Sequence, residues 1–337
     1  MSSYNLSEIQ DKKLSSILKL GQWFRLSIKE SLLTENAHAQ CPQMNYLLAF
    51  GCELTSFHLN QILDFLKSEQ IDDANICYFQ PDNNLDPALV IKCQFDREKF
   101  KPLIDELSKA IYCQLAVFDD APSIDQPGLL VMDMDSTAIT IECIDEIARL
   151  ANVYEEVASV TAQAMNGALE FGDSLRLRVA KLAGIELKLI EKLKENLPLM
   201  PGVLDLCHLL KTKGWKLAIA SGGFIPFAER VQQLIDLDFI HANELEVAEN
   251  KLTGKVLGVI VDAQEKANFL NKMANELNID IKQTLAMGDG ANDLKMMSAA
   301  GLGIAVHGKP KVVEAADVAI NTGSLLQVAY FISIPKM

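Results

Sequence analysis

Gly128-Leu129-Leu130-Val131-Met132 runs without interruption into Asp133-Met134-Asp135-Ser136-Thr137, so a short apolar stretch stops abruptly on two aspartates. A run of this length, entered through Gln126-Pro127-Gly128, reads as a strand buried on both faces. In an open α/β sheet, ligands bind beyond the carboxyl ends of the strands, and Asp133 and Asp135 stand at that place. Being two residues apart, they point to the same side if the extended conformation persists past Met132.

Downstream, Lys216–Ala220, Thr284–Met287, Leu302–Val306 and Val318–Ile320 are further short apolar runs separated by helical patterns. This alternation predicts an α/β fold: a Rossmann-like parallel sheet with helices on both faces. The helical stretch at about 145–200 exceeds what one crossover helix needs and reads as an inserted helical cap. One of these runs ends in Ser221-Gly222-Gly223 and another in Gly288-Asp289-Gly290-Ala291-Asn292-Asp293, so three strand ends converge on one volume.

Upstream, residues 45–118 change apolar period in the order βαββαβ, with strands near 45–52, 73–79, 88–95 and 111–118 and helices near 56–68 and 98–109. That order predicts an N-terminal α+β domain, ferredoxin-like and similar to the ACT modules, for residues 1–120. Residues 1–40 carry a mixed helical pattern through Leu14, Ile17, Leu18, Trp23, Phe24, Leu26 and Ile28. The turn formers and acids of 121–127 read as a linker, leaving 128–337 for the second domain.

The chain has 337 residues, 49% of them hydrophobic, and a formal net charge of −14. That charge argues against non-specific binding to nucleic acid or anionic membrane, which rests on phosphate neutralisation by Lys and Arg. No apolar run is long enough to cross a bilayer and no secretory signal is evident, so a cytoplasmic location is expected. The cysteines, Cys41 among them, form no C-x-x-C pair, and the histidines, His38 included, show no ligand spacing. Gly303 through Gly308-Lys309 has P-loop spacing, but Pro310 stands where Ser or Thr is required.

Asp133, Asp135, Asp289 and Asp293 at one sheet edge would repel one another unless a cation lay among them. All-oxygen donors without His or Cys suit Mg²⁺. Ser221, the amides of Gly222 and Gly223, and Lys266 offer donors and charge to a phosphate. A carboxylate needs no base to be nucleophilic at neutral pH, so Asp133 is the candidate nucleophile for phosphoryl transfer and Asp135 the candidate acid and base. A lone D-x-D, Ser-Gly-Gly or Lys is commonplace; the ordered combination carries the reading.

These four motifs, Asp133 through Thr137, Ser221-Gly222-Gly223, Lys266 and Gly288 through Asp293, resemble those of the haloacid-dehalogenase superfamily. Glu142, Met165-Asn166-Gly167, and Phe171 through Ser174-Leu175-Arg176-Leu177-Arg178-Val179 resemble its phosphoserine phosphatase group. The resemblance implies Mg²⁺-dependent hydrolysis of O-phospho-L-serine through an aspartyl-phosphate, the last step of serine biosynthesis. It implies Asp133, the main-chain carbonyl of Asp135, and Asp289 as metal ligands, with Asp293 supporting them. By similarity Glu142 meets the substrate ammonium and Arg178 its carboxylate, Met165 and Phe171 wall the pocket, and Asn292 touches phosphate or the neighbouring aspartate. Still open are another small phosphomonoester as substrate, phosphotransfer, an amino-acid-binding regulator, and a homodimer formed through the N-terminal domain.

Overall fold

The computed structural model describes residues 3–6, 12–35, 45–165 and 169–337. Asn166, Gly167, His38, Cys41 and the side chain of Met165 lie outside the described residues. Contacts divide the chain into one unit of Met1–Asp125 with Asp317–Met337 and another of Gln126–Ala316. The last 21 residues, which the sequence reading kept with the second domain, thus go with the first.

The first unit contains β1 (Ser3–Asn5), β2 (Trp23–Ser27), β3 (Leu32–Glu35), β4 (Asn45–Phe50), α1 (Ser56–Ser68), β5 (Asp73–Phe79), β6 (Ala88–Cys93), α2 (Arg97–Ile111) and β7 (Gln114–Phe118). The strand order is β1-β3-β2-β5-β6-β4-β7 and the pairings are antiparallel. Its β7-β4-β6-β5 portion with α1 and α2 on one face is the ferredoxin-like βαββαβ arrangement. Asp96 caps α2 by accepting from the amides of Glu98 and Lys99, and Leu59, Ile62, Leu63, Phe100 and Ile104 bury against Leu47, Ala49, Ile76 and Ile91.

The helical expectation for residues 1–40 is overturned. Among the described residues this stretch holds β1, a short 3-10 turn at Leu14–Ser16, and the β2–β3 hairpin. Phe24, Leu26 and Ile28 are buried while Arg25 between them is exposed, a period of two that a stripe of scattered apolar residues had masked.

The second unit contains β8 (Leu129–Met132), α3 (Cys143–Leu150), α4 (Tyr154–Met165), α5 (Phe171–Ala180), α6 (Leu187–Glu195), α7 (Val203–Thr212), β9 (Lys216–Phe224), α8 (Ile225–Ile235), β10 (Phe239–Ala248), β11 (Lys251–Leu257), α9 (Ala263–Glu276), β12 (Thr284–Gly288), α10 (Leu294–Ala299), β13 (Leu302–Val306) and α11 (Pro310–Ala315). Its strands run β11-β10-β9-β8-β12-β13. All pair in parallel except β10 with β11. The C-terminal segment of the first unit adds β14 (Val318–Ile320) and α12 (Ala329–Ile332).

Every residue of β8 is buried, as a central parallel strand requires. From β8 the chain passes to β9 on one side and later returns to β12 on the other, so the strand order reverses at β8. A crevice at such a switch point is where open α/β sheets hold their ligands. Helices α3 to α6 form the insertion between β8 and β9.

The β10–β11 hairpin was not foreseen. Its strands carry His241, Asn243, Glu244 and Glu246, and its turn is Glu249-Asn250, both at positive φ (50° and 60°). A two-residue turn of that hand usually announces itself through Asn-Gly or Asp-Gly, and here it does not. No helix among the described residues is long and apolar enough to cross a membrane.

Candidate active site

A cavity of about 220 Å³ in the second unit is lined by Asp133 and Asp135 after β8, Ser221 to Gly223 of β9, and Asp289, Gly290 and Asn292 after β12. The insertion contributes Glu142, Phe171 and Arg178 to the same walls. Nine of the sequence-derived candidates (Asp133, Asp135, Glu142, Phe171, Arg178, Ser221, Gly222, Asp289 and Asn292) thus share one cavity. Lys266 does not line it and stands behind Asp133, which it contacts.

The chain does not stay extended after Met132: residues 135–138 form a turn, with Ser136 at φ 56°. A turn rather than strand alternation therefore brings both aspartates to the cavity. Asp133 Oδ1 accepts the Met134 amide at 2.7 Å and lies 2.9 Å from Lys266 Nζ. The second oxygen, Oδ2, is not held by these donors.

Asp262 caps α9 by accepting from the amides of Gln264 and Glu265, which fixes the first turn that carries Lys266. The Lys266 side chain is 0% exposed, and Nζ donates to Asp293 Oδ1 at 2.7 Å. Burial works against its charge, yet Asp133 and Asp293 together hold its pKa above the usual lysine value. One ammonium faces two carboxylates, and it does not fully compensate both. Burial and the charge of Asp133 raise Asp293 to about 7 despite Lys266 and the Gly290 amide, which donates to Asp293 Oδ2 at 3.0 Å.

Asp289 is raised by burial and by Asp133, with Thr137 Oγ1 donating to its Oδ1 at 3.3 Å. Carboxylate oxygens of Asp133, Asp289 and Asp293 lie within 4.8 Å of one another. Since Asp293 is already bonded to Lys266 and Gly290, Asp133 and Asp289 have the freer oxygens. Hard oxygen donors whose mutual repulsion is unrelieved fit a divalent cation. The cluster of Asp133, Asp289 and Asp293 suits one.

Burial first, then Glu142 and Asp133, push the Asp135 carboxyl well above the ordinary range, while bonds from Cys143 offset this only in part. Its Oδ1 is buried with no hydrogen-bond partner among the described residues. A carboxyl whose proton is held this way is suited to act as a proton donor. Glu142, raised by burial, accepts from Ser136 Oγ at 2.8 Å. Burial lowers Arg178 against the pull of Asp145, Glu142 and Asp135, and its Nε is buried without a hydrogen-bond partner among the described residues.

Ser221, Gly222 and Gly223 lie within β9, where the pairing with β10 shifts register, and not in a loop after it. The Gly223 amide donates to Ser221 Oγ at 2.9 Å. Sequence reasoning missed Asn243, which is buried and holds this stretch by donating from Nδ2 to the Gly222 carbonyl at 2.8 Å while Oδ1 accepts the Val261 amide at 2.9 Å. Its signal was hidden in the unrecognised strand β10.

The two glycines have separate steric duties. A Cβ on Gly222 would stand 2.8 Å from Phe171 Cζ, and one on Gly223 would stand 2.7 Å from Met134 Cε and 3.2 Å from Asp135 Oδ2. Gly222→Ala should therefore displace the Phe171 ring and act mainly on KM, whereas Gly223→Ala should disturb Asp135 and act mainly on kcat. Steady-state kinetics of both variants checks this, and the same pattern from both would contradict it.

Comparison with known proteins agrees with this geometry. The haloacid dehalogenase-like hydrolase family matches residues 128–301. The chain is 49% identical over 229 residues to the phosphoserine phosphatase of Vibrio cholerae, covering 68% of this chain and 70% of that one. Likewise it is 49% identical over 219 residues to that of Haemophilus influenzae, covering 65% and 70%. A crystal structure of a probable phosphoserine phosphatase from Vibrio cholerae, unliganded, superposes with a TM-score of 0.70 at 42% identity, covering 85% of this chain and 86% of that one. A substrate-bound phosphoserine phosphatase complex superposes with a TM-score of 0.59 at 38% identity, covering 62% of this chain and 99% of that one. By this family match and these relatives, the chain belongs to the haloacid dehalogenase-like hydrolase family.

Proposed function

We propose that this chain hydrolyses O-phospho-L-serine to L-serine and phosphate, with Mg²⁺ as its metal, through a phosphorylated Asp133. The observation that carries the reading is Arg178: a half-buried guanidinium whose buried Nε has no hydrogen-bond partner among the described residues, in the same cavity as Asp133, Asp135 and Glu142. A phosphomonoester alone needs no such group. A substrate with an ammonium and a carboxylate needs both Glu142 and Arg178, and a planar guanidinium suits a carboxylate. The named relatives and the substrate-bound neighbour support the same substrate.

The chemistry then divides among the chain's own groups. Lys266 and the Met134 amide hold Asp133 Oδ1, and Oδ2 attacks phosphorus as the bond to the serine oxygen breaks. Asp135 gives its proton to the leaving alkoxide, then takes one from the water that attacks the aspartyl-phosphate, releasing phosphate and restoring Asp133. Ser221, Gly222 and Asn292 position the phosphoryl oxygens from the cavity walls, and Phe171 covers the substrate. Asp133, Asp289 and the Asp135 main-chain carbonyl would hold a divalent cation, which would supply neutralisation of the carboxylates and of the phosphoryl oxygens. Met165 joins this set by resemblance alone. The β7-β4-β6-β5 order supports reading the first unit as an ACT-like module, a dimerising role for it and a cytoplasmic enzyme being parts of the same proposal.

Phosphate release across a panel of small phosphomonoesters, with Mg²⁺ present and then chelated, tests the function. Phosphoserine should lead the panel and chelation should abolish turnover; no preference for phosphoserine would sink the substrate assignment. Arg178→Lys is expected to raise KM for phosphoserine roughly ten- to a hundredfold, the scale of a lost charge-assisted contact. An analogue with the amine but no carboxylate should be nearly indifferent to it. Equal losses on both substrates would remove Arg178 from carboxylate recognition.

A further inference from the structure

The P-loop-like run ending in Gly308-Lys309 fails as a nucleotide motif, yet its lysine lines the active-site cavity. That wall has a simple charge inventory. Asp133, Asp135, Glu142 and Asp289 are acidic, and Arg178 and Lys309 are the basic residues of the lining. Lys266 is already engaged by Asp133 and Asp293 behind the wall. Lys309 is exposed and makes no ion pair among the described residues.

Its position on the wall is fixed by its neighbour. A Cβ on Gly308 would lie 3.4 Å from the main-chain oxygen of Asp289, so the turn after β13 packs against the turn after β12. Lys309 therefore enters the cavity from the side of Asp289, Gly290 and Asn292, at the strand ends, whereas Arg178 comes from α5 of the insertion. A substrate with a phosphate at one end and a carboxylate at the other meets a different cation at each.

We propose that Lys309 is a binding residue for the phosphate group, capturing the dianion at the rim before transfer and holding inorganic phosphate after it. This rests on the phosphatase reading of the cavity. An exposed ammonium is a modest, salt-screened partner, so the expected effect on KM is roughly three- to tenfold.

The test compares Lys309→Met, Lys309→Arg and Lys311→Met in the full chain. Lys311 is exposed in the short helix that begins just after Lys309 and does not line the cavity, so it controls for net charge. Lys309→Met should raise KM for phosphoserine and the inhibition constant of inorganic phosphate by similar factors, and should flatten the salt dependence of kcat/KM. Lys309→Arg should restore both constants, and Lys311→Met should leave them at wild-type values. Unchanged phosphate inhibition, a loss in kcat alone, or an equal effect of Lys311→Met would each overturn the proposal. Inorganic phosphate binding by calorimetry supplies a readout independent of turnover: if phosphoserine proves not to be the substrate, weaker phosphate binding by Lys309→Met still stands or falls by itself.

Discussion

Asp133→Asn is expected to lower turnover of phosphoserine by about four orders of magnitude or more, the scale seen when a covalent nucleophile is removed. The amide keeps the shape of the carboxylate, and its oxygen can still accept from Met134 and Lys266 as Asp133 Oδ1 does. What it lacks is a nucleophilic oxygen. Lys266 retains Asp293 as its counter-charge, so no buried cation is orphaned. Stability should hold or rise slightly without metal, because the charge of Asp133 is one of the causes raising both Asp289 and Asp293. Two measurements check this together: thermal melting, expected within a few degrees of the parent, and acid-quenched turnover of labelled phosphoserine, expected to leave no label on the protein. Retained activity in a preparation shown by mass spectrometry to contain no Asp133 would refute the covalent route.

The residues on which that expectation rests were legible in the sequence because they stand at strand ends. A parallel strand buried on both faces is a continuous apolar run, and β8, β12 and β13 could be read to within a residue or so. The first unit was legible for a different reason: its α1, β5 and α2 have clean periods and definite ends, with Asp96 capping α2. Legibility failed where polarity and burial part company. β10 presents half-buried polar residues, so neither it nor the buried Asn243 gave a period to read. The turn through Ser136 was hidden for another reason, since a single residue at positive φ leaves no mark on an apolar pattern. Lys309 escaped because a lysine at a failed motif looks like solvated surface until two loops are seen to pack together.

Lys266→Met tests how far the buried charge cluster is a structural commitment as well as a catalytic one. The Lys266 and Asp293 side chains are 0% exposed and that of Asp133 is 8% exposed. Removing the ammonium leaves two carboxylates facing each other with no counter-ion, and breaking a buried pair by removing one partner costs about 3–5 kcal/mol. For a unit of this size that corresponds to a fall in Tm of roughly 10 °C, and activity should vanish because the buried ammonium no longer opposes the charge of Asp133 and the phosphoryl group together. The double variant Lys266→Met with Asp293→Asn separates the two roles. An amide at 293 can still accept the Gly290 amide, which now bonds to Asp293 Oδ2. It carries no charge, so much of the lost stability should return. Activity should not return, since Asp133 remains without its lysine. If Lys266→Met melts with the parent protein, the cluster gives no net stability and Lys266 serves catalysis alone. If the double variant regains turnover, the lysine was needed only to quiet Asp293. Only the pattern of restored stability with absent activity assigns both tasks to one buried ammonium.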